Sequence, residues 1–379
     1  MFTKLDRYLD AFLDMGVPGC DTAVYLDGVC VYRGMRGYSD IEKRIPIMGN
    51  ERYNIYSASK PITAVAALKL WEKGLFKLSD RLADYMPEFE HMTVRQKDGS
   101  VVPAKNPILI EHLFTMTAGF SYAVGTPELI KAYEETGGRC PTRETMRYLA
   151  REPLAFEPGT AWQYSFCHDV LAAFVEVISG ERFGIYVKKN IFDVLGLGET
   201  TFLLPDGELD ILCTQYRFSG IPRTAKEIDK GIMLYKLGSE YESGGAGAIS
   251  TVDDMMKFLE ALRVGDVILK NEMIELMCTD MLDDMTRKSY WYRDYGYGLG
   301  VRCPKEGYTT DFGWGGAAGA YLMIDRKNGI TAYHAQHTLN SPNSAERRAL
   351  ARVITECITG KSTDTATDNA LEDTLSKYQ

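Results

Sequence analysis

The run YNIYSASKPITAVAALKLWEKG, residues 53–74, decides how this chain is read. Over 61–74 the apolar side chains Ile62, Val65, Ala66, Leu68 and Leu70 recur at helical spacing, and Gly74 supplies a stop. Ser57 and Lys60 stand three apart just ahead of that helix, a spacing that predicts both side chains on one face. No other Ser-x-x-Lys occurs in the sequence. A serine hydroxyl is a poor nucleophile at neutral pH and needs a base beside it, and a partly buried amine can lose its proton and serve as one. A serine that begins a helix also has an unpaired backbone N–H, which can face a developing oxyanion. The same residues also fit a helix cap followed by a solvated lysine, so the pair is judged by its surroundings.

Those surroundings start with a hairpin signal. Two alternating runs, DTAVYLDG and VCVYRGMRGYSD, meet at the turn-prone pair Asp27-Gly28. The segment 75–240 reads as mainly helical with long connections, and includes EHLFTMTAGF, TRETMRYLARE and VLAAFVEVISG. Strand-like runs return in YGYGLGVRCP, GAYLMIDRKNG and ITAYHAQH, and the amphipathic SAERRALARVITECITG follows. The pattern predicts a sheet built from both ends of the chain and a helical middle. We expect an α/β sheet domain over 1–60 and 245–360, a mainly helical domain over 61–244, and a polar tail over 361–379.

Composition sets the limits. The 379 residues are 45% hydrophobic and 25% charged with a formal charge of -9, ordinary globular values on the acidic side. That balance argues against nucleic acid or an anionic membrane as partner, since both select clustered Lys and Arg; a small-molecule substrate fits better. The opening MFTKLDRYLDAFLDMG is an amphipathic helix candidate interrupted by Asp6, Asp10 and Asp14, unlike a secretory leader. No run approaches the roughly 18 unbroken apolar residues of a spanning helix, so a cytoplasmic protein is expected. Eight cysteines lack paired spacing and read as reduced thiols.

With these features in place, YSASKPITAVAALKLWEKGLFKLSDRLADYMPEF (56–89) resembles the first motif and following helix of class C β-lactamases, D-aminopeptidases and family VIII carboxylesterases. Further segments resemble the same superfamily of serine β-lactamases and penicillin-binding proteins, in the expected order. They are VPGCDTAVYLDGVCVYRGMRGYSD, LFTMTAGFSY, PGTAWQYSFCHDVLAAFVEVISG, IFDVLGLGETTF, SGGAGAISTVDDMMKFLEAL, YGYGLGV and FGWGGAAGAYLMIDRKNG, which together span about residues 15 to 340. The resemblance implies an α/β (α+β) fold of β-lactamase type, with an antiparallel sheet from both termini, flanking helices and a helical lobe. It implies Ser57 as nucleophile, Lys60 as its partner, and an acyl-serine intermediate. No metal or organic cofactor is implied.

The family's second motif, Tyr-x-Asn or a variant, reads here Tyr164-Ser165-Phe166. By resemblance Tyr164 relays protons between the serine and the leaving group, as a phenol lowered from its usual range by a neighbouring ammonium. Phe166 stands where an Asn would hydrogen-bond an amide substrate, and a phenyl ring cannot. The version Tyr-Ser-x-x-x-Asp-Val-Leu resembles the carboxylesterase branch. The third motif, Lys-Thr-Gly or His-x-Gly in penicillin-recognising members, corresponds to Trp314-Gly315-Gly316, and Ala317 is expected to present the second oxyanion N–H. An indole in place of an ammonium favours neutral, acyl-rich substrates over anionic lactams. The implied function is a carboxylesterase on small esters, with a β-lactamase or D-amino-acid peptidase as the alternative, and a catalytically silent binding protein as the alternative of another class.

Other candidates weigh less. The glycine-rich 243–247 lacks the lysine of a phosphate loop. Ser250 with Asp253, or Thr251 with Asp254, reads as a helix cap. His334 and His337 are placed on opposite faces by strand alternation, without acidic or Cys partners at metal-ligand spacing. His168 is close enough in sequence to tune Tyr164, although a structural role suits it better.

Overall fold

The computed structural model describes residues 1–204, 207–231 and 233–361, so the polar tail lies outside the described residues except for Lys361. Its centre is an eight-stranded antiparallel sheet. From edge to edge the strands are Gly296–Tyr297, Arg302–Cys303, Phe312–Gly315, Tyr321–Asp325, Ile330–Gln336, Gly19–Leu26, Val29–Asp40 and Ile45–Pro46. Both ends of the chain build it, since Gly19–Leu26 pairs with Ile330–Gln336 from Cys20 opposite Gln336 to Leu26 opposite Ile330. The hairpin forms where the sequence places it. Asp27 at φ 49° and Gly28 at φ 84° give the two left-handed positions of a tight turn, which Asp tolerates and Gly accepts freely.

Strand alternation sends neighbouring side chains into two cores. Val24, Met323 and Ala332 pack with Leu5, Leu9 and Phe12 of the helix Thr3–Asp14 and Val353 and Ile354 of the helix Leu350–Thr359. Ala23, Leu322, Ile324 and Tyr333 face the other way, into the larger core shared with the helix Val252–Val264 and the helical middle. Thr251 caps that helix, its hydroxyl accepting from Asp254 N at 3.1 Å, whereas Ser250 is engaged with Thr200.

The helix Lys60–Glu72 is buried on nearly every side, as its run of Ile, Val, Ala and Leu dictates. Pro61 sits in its first turn, where a missing N–H costs nothing. It packs on the helix Cys167–Ser179 and on the strand Phe312–Gly315. The middle of the chain is less uniformly helical than its sequence suggests. Thr93–Arg95 pairs with Val101–Pro103, and Gln215–Ser219 pairs with Thr224–Ile228 and, in parallel, with Thr338–Leu339. These strands are short, and their stability comes from partners distant in sequence, which a local periodicity does not report. No helix among the described residues is long and apolar enough to cross a membrane.

Candidate active site

Ser57 lies in a single 3-10 turn, Tyr56–Ser59, that leads into Lys60–Glu72. Its conformation is set by Tyr56, which holds φ 49°, a left-handed value costly for a bulky side chain. The surroundings hold that residue in place. Tyr56 is fully buried with its hydroxyl on Gln215 Oε1 at 2.5 Å, and its carbonyl accepts from Ser59 Oγ at 2.5 Å. Ser59 Oγ in turn accepts from Ala248 N at 2.9 Å. The turn is thereby tied to the glycine-rich segment beside it.

Lys60 is fully buried, and its ammonium group makes three contacts. Nζ donates to Gly245 O at 2.7 Å and lies 3.4 Å from both Ser57 Oγ and Tyr122 Oη. It also sits 4.3 Å from the centre of the Tyr164 ring. Burial lowers its pKa to about 7, against the opposing charge of Asp169. A substantial neutral fraction therefore exists at physiological pH, as a base requires.

Tyr164 behaves differently from the expectation that an ammonium would lower it. Burial holds its phenol well above the usual range, while hydrogen bonds with Ser57 and from the Trp314 indole pull modestly the other way. Trp314 Nε1 donates to Tyr164 Oη at 3.3 Å, and the two rings lie nearly parallel, 5.9 Å apart at 15°. Tyr164 is thus a proton-bearing phenol at neutral pH, and Lys60 is the group poised to be neutral.

The strand carrying Trp314 closes the site from the sheet side. A Cβ at Gly316 would stand 2.2 Å from Ile55 O, so only glycine lets this strand approach the turn beneath Ser57. Gly315 and Gly316 line the cleft, and Ala317 beyond them is exposed. Among the described residues neither Ser57 N–H nor Ala317 N–H meets a backbone acceptor. Ser57 and Ala317 both line the cleft.

Phe166 is a correction. It is fully buried, packs edge-on against Tyr122 with ring centres 4.9 Å apart, and does not line the cleft, so it supports the tyrosine layer instead of meeting a substrate. His168 is also fully buried, neither ring nitrogen has a hydrogen-bond partner among the described residues, and burial pushes its pKa well down. His334 and His337 are held elsewhere, by Thr22 Oγ1 at 2.7 Å and Thr214 O at 2.5 Å.

Three contributors escape the sequence reading. Tyr122, the last residue of LFTMTAGFSY, stacks on Tyr235 at 4.4 Å and approaches Lys60. The stretch 243–247, set aside as a poor phosphate loop, supplies the Gly245 carbonyl that holds Lys60. Asp169, buried behind it, accepts from Ser243 Oγ at 2.6 Å and Tyr241 Oη at 2.9 Å. The Tyr-Ser-x-x-x-Asp spacing is the one signal that pointed to it.

Above Ser57 opens a cleft of about 780 Å³. Trp291, Tyr292 and Tyr295, from the segment SYWYRDYGY, share its wall with Tyr235 and Trp314. Aromatic faces flank the serine, and an ester's acyl chain can be buried against them.

The family model described as Beta-lactamase matches residues 5–356. Esterase EstB of Burkholderia gladioli is 28% identical over 361 residues, covering 86% of this chain and 88% of that protein. Lovastatin esterase of Penicillium rubens is 28% identical over 306 residues, 72% of this chain and 76% of its own. Among solved structures, EstCE1, described as a hydrolase with promiscuous acyltransferase activity, superposes with a TM-score of 0.73 at 24% identity, covering 91% of this chain and 96% of that one. At that identity the likeness is one of fold.

Proposed function

The chain belongs to the beta-lactamase family, and on that premise we propose that it is a carboxylesterase acting on small esters through Ser57. The observation that carries the reading is the convergence of Ser57 Oγ, the Lys60 amine and Tyr164 at the floor of one aromatic cleft. Neutral Lys60 takes the proton of Ser57 as Oγ attacks the acyl carbonyl. The oxyanion is received by the N–H groups of Ser57 and Ala317. Tyr164, which keeps its proton at neutral pH, donates it to the departing alkoxide, and the Trp314 indole steadies the phenolate until Lys60 returns a proton. Water, activated through the same groups, then releases the acid.

The choice of esters over β-lactams is supported by Trp314, which puts an indole where penicillin-recognising relatives carry a cation. The names of Esterase EstB and lovastatin esterase point the same way. The test is hydrolysis of 4-nitrophenyl butyrate beside a chromogenic cephalosporin. The reading expects ester turnover that falls at least about a thousandfold in Ser57→Ala. Cephalosporin opening as fast as ester cleavage would replace it with the β-lactamase reading.

A further inference from the structure

The residue ahead of the nucleophile holds a backbone conformation that an aromatic side chain rarely adopts. Among the described residues Tyr56 is the only aromatic in the left-handed region, at φ 49°. Asp27, Asp266 and Asn340 also occupy it, with short polar side chains that tolerate it. A strained residue persists only where its surroundings over-determine it, and such residues gather at functional sites.

The Tyr56 ring is the largest member of a small core, separate from the two that flank the sheet, formed with Ala246, Ala318 and Leu339. Two of these neighbours adjoin groups that the reaction uses. Ala246 follows Gly245, whose carbonyl accepts from Lys60 Nζ at 2.7 Å, and Ala318 follows Ala317. Leu339 belongs to the strand Thr338–Leu339, in which Thr338 N donates to Ala318 O at 2.9 Å. The phenol closes the arrangement: Tyr56 Oη donates to Gln215 Oε1 at 2.5 Å. Gln215, itself buried, begins the strand Gln215–Ser219, whose Tyr216 pairs with that same Thr338. Serine, base and oxyanion N–H come from three backbone segments far apart in sequence, and they meet at Tyr56.

We propose that Tyr56 and Gln215 act as one positioning unit, in which the hydrogen bond between them locks the left-handed turn and keeps Ser57 Oγ, the Lys60 amine and the Ala317 N–H in mutual register. The inference deepens the esterase reading and rests on it for the reaction being aligned. Neither side chain lines the cleft, so the pair acts on rate and not on substrate binding. Removing the phenol oxygen leaves the ring in its core but frees the turn, and a displacement of about 1 Å at a reacting group commonly costs about a hundredfold in rate.

Y56F, Q215L and the double variant test this with 4-nitrophenyl butyrate. Each single variant should lose about tenfold or more in kcat with KM within about twofold of wild type, and the double variant should be little worse than the weaker single, because one bond is removed in all three. Fluorophosphonate labelling of Ser57 should slow in the same proportion, since it needs the same alignment without an ester. V353A, which opens a cavity in the core behind the sheet, lowers the melting temperature for an unrelated reason and should label at the wild-type rate. Equal slowing in V353A, wild-type kcat in Y56F, a rise in KM alone, or additive losses in the double variant each overturn the inference and leave the esterase reading intact. If wild-type enzyme labels on Ser57 but cleaves no ester, the labelling rates decide, and an unchanged rate in Y56F overturns the positioning unit. A wild type inert to both reagents overturns the hydrolase reading and the inference with it.

Discussion

The Lys60 ammonium donates its shortest hydrogen bond, 2.7 Å, to the carbonyl of Gly245 and not to Ser57, which lies at 3.4 Å. A carbonyl accepts from either protonation state of the amine, so it fixes where the nitrogen sits without consuming the lone pair a base needs. The side chain is held between the serine and Tyr122, in a pocket dry enough to bring its pKa to about 7.

A pH profile follows from that value. Because the working base is neutral Lys60, kcat/KM for 4-nitrophenyl butyrate should rise as pH passes through about 7. No matching loss is expected on the alkaline side until well above the usual phenol range, since burial raises Tyr164. The same depression makes folding stability increase with pH from about 7 toward the unfolded lysine value, because the unfolded chain binds the extra proton there. Rate measurements and thermal unfolding over that interval check both signs.

Asp169 should set the position of this rate limb. Its charge favours protonated Lys60, so Asp169→Asn should move the limb to lower pH. The amide can still accept from Ser243 and Tyr241, which makes this variant a change of charge more than of shape. A limb that stays in place would show that Asp169 serves only to hold the 241–245 segment.

Gly245→Ala should damage activity more than its size suggests. The added methyl would stand 2.4 Å from Asp169 Oδ2 and 2.8 Å from Tyr122 Oη, and relieving those contacts moves the carbonyl that holds Lys60. A loss of roughly tenfold to a hundredfold in kcat is expected, as displacements of about 1 Å commonly cause. Retained far-UV circular dichroism and a cooperative melt would separate this from unfolding.

Trp314→Phe keeps an aromatic wall and removes the N–H that reaches Tyr164 at 3.3 Å. A lost hydrogen bond to a developing phenolate costs about 1.5 to 3 kcal/mol, so kcat should fall roughly tenfold to a hundredfold. In a Tyr164→Phe background the same change should cost little, because the acceptor is already gone. Steady-state rates of the two single variants and the double variant decide it.

Much of this arrangement is legible in the sequence. The apolar spacing behind Ser57 and Lys60 gives the buried helix, Asp27-Gly28 gives the hairpin, and the final strand-like runs give the sheet that joins both termini. The ionisation of Tyr164 is not legible, because it depends on how many side chains enclose the phenol and not on which residues flank it. Phe166 departs from its motif-based expectation for a related reason. Its motif position suggests the cleft, yet its backbone N–H is tied to Ser121 O at 3.1 Å and its ring packs inward. The Gly245 carbonyl could not be anticipated, since main-chain atoms carry no sequence signature and Lys60 and Gly245 lie 185 positions apart.

The most direct test of the account is the site of covalent acylation. Incubation with a fluorophosphonate, followed by intact-mass measurement and peptide mapping, should show one adduct per chain on Ser57, formed faster as pH rises through about 7 and absent in Ser57→Ala. An adduct on any other residue, or full ester turnover by Ser57→Ala, would contradict it.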